Sequence, residues 1–257
     1  MQMHFLSGGR LKMPCSAYYP NSAENSWFEL PVISTLLRHP QGNIIFDTGC
    51  HPDAATDSDV GASTRWAGLD AFLKPIFTQA DTVPHQLTSL GLACEDIDAV
   101  ICSHLHIDHC GCNAFFPNAT IICHADELAA VRQDDAQSRG YFESDWNHDQ
   151  KFQSINQEHD LFGDHRITLI PAPGHTAGMM IARIELDRDG PFVLASDAVP
   201  VANNLEDEFV PLNSWDDART LKMAQAISQM RDRGDQIIFG HDDAQWQQLK
   251  KGAAFYS

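Results

Sequence analysis

Short apolar runs recur along the chain, and most are bounded by Gly, Pro or charged residues, which is the pattern of buried strands. The runs 32–37 and 43–46 flank a turn that contains Pro40 and Gly42, so they predict a β-hairpin. Further strands are predicted at 4–6, 99–102, 120–123, 166–170, 192–195 and 236–239. We expect a turn at Gly8–Gly9, directly after the first of these strands.

Helices are predicted where apolar residues recur at spacings of three and four. The segments 83–92 and 216–231 show this spacing. The stretch from 66 to 77 shows it as well, and Pro75 either ends or kinks that helix. The polar stretch 132–160 has no clean period, so we expect irregular or loosely helical structure and a candidate lid. Strands mixed with helices predict an α/β protein.

The segment 104–109 places three histidines and one aspartate within six consecutive positions, directly after a predicted strand. Alternate residues of an extended chain share a face, so His104 and His106 should point the same way. Asp108 and His109 break this alternation, and we expect them to point elsewhere and to serve a second metal ion. Imidazole and carboxylate ligands suit zinc, and also iron, manganese or cobalt. The alternative interpretation is a polar loop with a chance histidine cluster.

Three later strands are also followed by a residue that can bind metal: His175, Asp197 and His241. Strand ends gathered at one edge of a sheet sandwich would bring these residues to the 104–109 segment. The set divides into two sites, His104, His106 and His175 in one and Asp108, His109 and His241 in the other. Asp197 can bridge them with one oxygen to each, which leaves room for a bridging water or hydroxide.

Asp47 ends the strand 43–46 and precedes a glycine. It can accept the outer N–H of a metal-bound histidine and fix its tautomer, although an Asx-turn or cap would use the same residue. Cys110 and Cys112 lie beside the histidine segment and offer thiolates as alternative ligands. We favour reduced thiols packed near the site, because histidine and aspartate already fill the coordination.

The formal net charge of −18 argues against a nucleic-acid partner and against docking on anionic lipid, and it favours a neutral small-molecule substrate. The N-terminus lacks the pattern of a signal peptide, and no apolar run approaches the roughly 18 residues of a membrane span. We therefore expect a cytoplasmic protein. With 43% hydrophobic residues, we expect residues 1–257 to form one α/β domain, and a homodimer stays open.

The metal-binding pattern resembles that of the metallo-β-lactamase superfamily. The resemblance rests on His104-x-His106-x-Asp108-His109, Gly174-His175, Asp197, Gly240-His241 and the upstream Phe46-Asp47-Thr48-Gly49. Within the superfamily, the chain is most similar to the quorum-quenching N-acyl homoserine lactone lactonases over nearly its whole length. That similarity adds Ser7-Gly8-Gly9, Pro173-Gly174-His175-Thr176-x-Gly178 and Gly240-His241-Asp242. It implies an αββα sandwich, with two mixed β-sheets flanked by helices. It also implies a centre of two divalent metal ions, for which zinc is the first expectation.

The resemblance also implies an activity, the opening of a lactone ring by a metal-bridging hydroxide, with Asp108 as catalytic proton carrier. Hydrolysis of another lactone, ester or thioester is the nearest alternative, because the metal motif does not encode the acyl group. Cleavage of β-lactams, RNA processing, iron-dependent redox chemistry and non-catalytic metal binding are less favoured.

One position departs from the lactonases. Many of them carry a tyrosine three residues after the bridging aspartate, where this chain has Pro200, which offers no donor. Tyr18 and Tyr141 are the candidates to replace it. The substrate-binding residues are otherwise unassigned, and the candidates for an apolar groove are Trp27, Phe28, Trp66, Phe72, Phe115, Phe116 and Met179.

Overall fold

The computed structural model describes residues 1–19, 21–66, 68–69, 72–207 and 209–257, whose strands form two sheets. The first sheet contains β1 (Gln2–Pro14), β2 (Trp27–His39), β3 (Gly42–Phe46), β4 (Lys74–Pro75), β5 (Ala99–Ile101), β6 (Thr120–His124) and β7 (Phe152–Ile155), in the order β4-β1-β2-β3-β5-β6-β7. The strands from β4 to β3 pair antiparallel, and those from β3 to β7 pair parallel. The sheet is therefore mixed.

The second sheet contains β8 (His159–Asp160), β9 (Ile167–Pro171), β10 (Met180–Leu186), β11 (Gly190–Ser196) and β12 (Gln236–Phe239), in the order β12-β11-β10-β9-β8. Only its β11–β12 pair is parallel among the described pairings. The helices are α1 (Ala62–Arg65), α2 (Val83–Ser89), α3 (Ala125–Ala130), α4 (Glu143–Trp146), α5 (Ala202–Glu206), α6 (Asp217–Asp232) and α7 (Asp243–Gln248). Every helix in the described ranges is too short or too polar to cross a lipid bilayer.

Apolar side chains fill three layers around the sheets. Between the sheets, Phe5 and Ile44 of the first sheet pack in one buried cluster with Leu169 of the second. The outer face of the first sheet is covered by residues that include Leu87 of α2. The outer face of the second is covered by α6, which contributes Ile227. This arrangement confirms the predicted α/β fold with an αββα sandwich.

The β1 strand contradicts the predicted turn at Gly8–Gly9. The chain runs straight on, pairs with β2 on both sides of the glycines and changes register between Ser7 and Arg10. Gly9 has φ +114°, which an L side chain rarely adopts, so the glycines form a β-bulge instead of a turn. The predicted hairpin of 32–37 and 43–46 is confirmed.

The helix predicted over 66–77 is wrong for the described part of that stretch. Lys74 and Pro75 form the edge strand β4, paired with β1, and residues 67, 70 and 71 lie outside the described residues. Trp66 and Phe77 are both fully buried in one apolar cluster. The apolar spacing there reflects packing against β1 and β2, not one face of a helix.

Besides β4, three strands were not predicted: β7, β8 and β10. β7 and β8 lie within the stretch expected to be irregular, where β7 pairs parallel with β6 and β8 pairs antiparallel with β9. β10 occupies the centre of the second sheet and is almost completely buried, so its apolar residues do not alternate clearly with polar ones.

Candidate metal centre

Pairing of parallel strands gathers the metal-binding residue types at one edge of the sandwich. β3 and β5 run parallel, so Asp47 and Ser103 follow their strands side by side. β11 and β12 are also parallel, which brings Asp197 next to His241. The backbone N–H of Met180, at the start of β10, donates to the Ser103 carbonyl over 2.8 Å and joins the two sheets at this edge.

His104, His106 and His175, here called the three-histidine group, converge on a common point. Nδ1 of His106 lies 3.1 Å from Nε2 of His104 and 3.1 Å from Nε2 of His175. His104 and His175 are buried, whereas His106 is partly open to the surface. Ligand atoms of these residues lie close enough together to hold one metal ion.

Asp108, His109 and His241, here called the mixed group, lie beside the first set. Oδ2 of Asp108 is 3.6 Å from Nε2 of His109 and 3.7 Å from Nε2 of His241. Asp197 stands between the groups, with Oδ1 2.9 Å from His241 Nε2 and Oδ2 3.4 Å from His175 Nε2. One carboxylate thus offers an oxygen to each group.

Hydrogen bonds on the outer side of the rings fix which nitrogen faces the centre. Nδ1 of His104 donates to Ser103 Oγ over 2.9 Å, and Nδ1 of His109 donates to Asp47 Oδ2 over 2.9 Å. Nδ1 of His241 donates to the carbonyl oxygen of Pro31 over 2.8 Å. With these protons placed outside, the Nε2 lone pairs of the three rings point inward, as metal ligation requires.

Asp47 is the acceptor at the middle of this outer network. Besides His109, it accepts from the Ser103 N–H over 2.7 Å and from the Ser103 and Ser196 hydroxyls over 2.8 and 3.0 Å. Asp47 and Ser196 both have positive φ, +58° and +45°, at the ends of their strands. Such strain persists where the surroundings hold it in place, and here it directs both side chains towards the ligand rings.

Electrostatics also suit a cation. Burial, helped by neighbouring imidazoles, lowers the pKa of His104 and His106 well below the usual range, so both rings are in the neutral form that ligates metals. Burial also lowers the pKa of His109, but nearby carboxylates, Asp108 and Asp197 first, outweigh it and raise that pKa well above its usual value. The mixed group therefore lies in a negative environment.

Unpaired buried atoms test whether a metal ion fits. Nε2 of His109, Nε2 of His241 and Oδ1 of Asp197 are inaccessible to solvent, and within the described residues none has a partner in hydrogen-bond geometry. Buried polar atoms of native proteins are nearly always paired, so these three call for an additional partner. Inward-facing imidazole nitrogens and carboxylate oxygens are the donor set of zinc and related divalent ions. The residues fit the metal.

Comparison with known proteins places this geometry in a family. The family profile of the metallo-beta-lactamase superfamily matches residues 27–241. The chain belongs to that superfamily. This confirms the resemblance found in the sequence and, with the fold, supports binding of divalent metal.

The chain aligns over almost its whole length with several related sequences. It is 28% identical to N-acyl homoserine lactonase AttM of Azorhizobium caulinodans, over 100% of this chain and 98% of the relative. It is 29% identical to AttM of Rhizobium johnstonii, over 100% and 99%. A solved N-acyl homoserine lactone hydrolase, with the product N-hexanoyl-L-homoserine bound at its catalytic metal centre, superposes with a TM-score of 0.86 at 25% identity, covering 99% of this chain and 98% of that one.

The metallo-beta-lactamase centre brings together every metal-binding residue proposed from the sequence, with Asp47 behind it. Cys110 and Cys112 are buried free thiols, and no cysteine belongs to a metal-binding group among the described residues. Burial raises the pKa of both thiols well above its usual range, so neither is a thiolate. These results agree with the reduced thiols that we expected.

Glu127 is a functional residue that the sequence analysis missed. It is fully buried in the first turn of α3 and accepts from the backbone N–H of Leu105 over 3.0 Å. Its other oxygen accepts from the Thr176 hydroxyl over 2.8 Å and from the Gly178 N–H over 3.0 Å. It therefore ties together the two loops that carry the three-histidine group. Asp126 and Glu127 in the first turn of α3 favour the helix dipole, and this local role gives no sign in the sequence of the contacts that Glu127 makes with the ligand loops.

A cavity of about 420 Å³ opens above the centre, and His106, Asp108, His175 and Asp197 lie in its wall. The rest of the wall is largely apolar and includes Met13, Leu30, Leu69, Phe72, Leu73, Ile107, Leu212 and Trp215. Phe72, Leu212 and Trp215 are exposed. Of the aromatic and methionine residues considered for an apolar groove, Phe72 lines the cavity, whereas Trp66, Phe116 and Met179 are fully buried core residues.

The two candidate tyrosines have different surroundings. The Tyr141 ring packs on His106 with ring centroids 4.8 Å apart, and its hydroxyl lies beside Glu127 and Thr176. The Tyr18 ring stacks on His241, and its hydroxyl faces Asp197 and Asn213. Both tyrosines line the cavity.

Proposed function

We propose that this protein is a metal-dependent hydrolase that opens the lactone ring of N-acyl homoserine lactones. The observation that carries the proposal is the shared carboxylate of Asp197, which faces both metal-binding groups in the wall of a largely apolar cavity. Similarity to the N-acyl homoserine lactonases over the whole chain supports the substrate class.

The proposed metal content is two divalent ions. The three-histidine group would hold one ion and the mixed group the other, and Asp197 would offer one oxygen to each. We propose zinc, because imidazole and carboxylate ligands suit it, with iron, manganese and cobalt as the alternatives. When bound, the two ions supply Lewis acidity and lower the pKa of water, which is the chemistry that cleavage of an ester bond requires.

The protein's own residues then orient the substrate and move a proton. Hydrolysis forms a bond between a water oxygen and the lactone carbonyl carbon and breaks the ring C–O bond. Asp108 is partly open to the cavity, so its carboxylate can take the proton that leaves the water and pass it to the ring oxygen. The product is the ring-opened N-acyl homoserine.

The cavity suits the acyl part of this substrate. The apolar side chains of Phe72, Leu212 and Trp215 lie exposed in its wall and would cover an acyl chain that extends from the metal centre. The net charge of −18 favours such an uncharged small molecule over nucleic acid or an anionic membrane. We propose that residues 1–257 act on it as one domain.

The test is turnover of a lactone panel, read by proton release, on protein whose metal content is measured in the same sample. The panel contains short- and long-chain acyl-homoserine lactones and γ- and δ-lactones that lack the amide. We expect about two metal ions per chain and fast opening of the acyl-homoserine lactones. Asp108→Asn serves as the control for contaminating esterases, because it should fold but not turn over. Two bound metals with activity on the simple lactones alone, or on none, would refute the proposed substrate.

A further inference from the structure

Tyr18 is a buried residue that the proton transfer described above does not use. It follows a short 3-10 turn, Cys15–Ala17, and is 3% exposed. The Leu212 N–H donates to the Ala17 carbonyl over 3.1 Å, which anchors this segment to the opposite wall of the cavity. The position of the Tyr18 backbone is therefore set by the same loop that supplies the apolar wall.

Two neighbours clamp the Tyr18 ring. It stacks on the ring of His241, with centroids 6.0 Å apart and planes at 14°, and it contacts the edge of Phe28 at 5.8 Å and 62°. These contacts orient the ring so that its hydroxyl is directed at Asp197 and Asn213. A donor held in place before the reaction costs no reorganisation in the transition state.

A phenol is protonated at neutral pH, since its ordinary pKa is about 10, and it can donate one hydrogen bond. Pro200, close to the centre, has neither an N–H nor a polar side chain. The Tyr141 hydroxyl instead lies beside Glu127 and Thr176. Tyr18 places its hydroxyl beside the shared carboxylate of Asp197, in the wall of the cavity where the substrate would lie.

We propose that Tyr18 is a catalytic residue whose hydroxyl donates a hydrogen bond to the lactone carbonyl oxygen. This inference rests on the proposed function. Negative charge grows on that oxygen as water adds to the carbonyl carbon, so the hydrogen bond strengthens towards the transition state and raises kcat more than it lowers KM. One carboxylate oxygen of the ring-opened product would accept the same hydrogen bond.

The test compares Tyr18→Phe with Tyr19→Phe. Each removes one hydroxyl, but Tyr19 is half-buried and packs edge-on against Phe28 at 5.3 Å. For Tyr18→Phe we expect kcat to fall roughly 10- to 100-fold, with KM changed by less than about threefold. Affinity for N-hexanoyl-L-homoserine, measured by calorimetry on the metal-loaded protein, should fall roughly 3- to 10-fold. Metal content should equal that of the wild type, and Tyr19→Phe should change none of these quantities.

The inference is overturned if Tyr18→Phe keeps wild-type kcat and product affinity, or if its loss of activity follows a loss of metal. Failure of the proposed function looks different, because the wild-type protein itself would then leave acyl-homoserine lactones intact. If the wild type instead opens another ester of the panel, kcat of the same two variants on that ester decides whether Tyr18 is the donor.

Discussion

A buried carboxylate lies behind each metal-binding group, Asp47 behind the mixed group and Glu127 behind the three-histidine group. The first contacts a ligand ring, whereas the second contacts the loops that carry the ligands. Asp47 accepts a hydrogen bond from the imidazole of His109 itself. Glu127 instead accepts from the backbone of Leu105 and Gly178 and from the Thr176 hydroxyl. Asp47 therefore orients the His109 ring directly and reaches His104 through the Ser103 hydroxyl, whereas Glu127 acts on the three-histidine group only through the two loops that carry it.

The surroundings of each carboxylate fit this difference. Asp47 lies at the end of a strand with strained backbone, and hydrogen bonds from Ser103, Ser196 and His109 fix the direction of its side chain. Glu127 lies on a short helix packed so closely to Gly178 that a Cβ on this glycine would collide with the Glu127 backbone. Loss of Asp47 should affect metal affinity and leave the fold intact, while loss of Glu127 should affect the fold first and metal second.

The largest effect is expected from removing a ligand of the mixed group. His109→Ala should fold but lose one metal ion and all measurable turnover. This loss is larger than the loss of about 100-fold expected when a residue that hydrogen-bonds to a metal ligand is removed. Metal content and turnover are measured together. His165→Ala is the control, because His165 is an exposed histidine on a loop, paired with Asp160. Wild-type turnover in His109→Ala with two metals bound would exclude His109 as a required ligand of the mixed group.

An intermediate effect is expected from Asp47→Asn. The amide must turn its NH2 towards either the Ser103 N–H or the His109 ring, so one hydrogen bond is lost in both orientations. We expect metal affinity of the mixed group to fall roughly 10- to 100-fold, measured by competition with a chelator.

Asp164→Asn is the matched control for this variant, since Asp164 also pairs with a histidine ring, at 2.8 Å from His39, away from the metal centre. It should leave chelator competition unchanged. If Asp47→Asn also bound metal as the wild type does, the orientation of His109 would not depend on Asp47.

Local pattern was enough to find the ligands and Asp47, but not Glu127. His175, Asp197 and His241 were predicted because each follows an apolar strand, and strand ends are visible in sequence. Glu127 bonds to positions 22 and 49 or more residues away, so its role exists only once α3 packs between the ligand loops. Contacts between residues so far apart in the sequence produce no periodic pattern of apolar and polar positions.

The same limit explains the errors in the fold. Gly8–Gly9 predicts a turn from local preference, but pairing with β2 on both sides keeps the chain extended. Trp66 and Phe77 mimic a helical spacing because both enter one apolar cluster from different parts of the chain. In each case tertiary packing overrides the local signal, whereas the hairpin β2–β3 was predictable because its turn and its pattern agree.

The smallest effect on metal is expected from Glu127→Gln, which also separates the two carboxylates most sharply. Its NH2 would face the Gly178 N–H or the Leu105 N–H, and a buried donor left without an acceptor costs about 1–3 kcal/mol of unfolding free energy. Metal affinity of the three-histidine group should fall by less than about 10-fold, which is the smallest loss expected for Asp47→Asn. Denaturant unfolding and chelator competition give the two values.

Two controls isolate the effect on the loops. Thr176→Val removes one donor and leaves the carboxylate with both backbone partners, so it should cost about 1 kcal/mol or less and leave metal affinity unchanged. Asp145→Asn disturbs another buried carboxylate, the one paired with Arg65, and should lower stability without faster metal release. If Glu127→Gln behaved like Asp145→Asn, with stability lost and metal release unchanged, Glu127 would support the core alone. Metal binding by the three-histidine group would then not depend on Glu127.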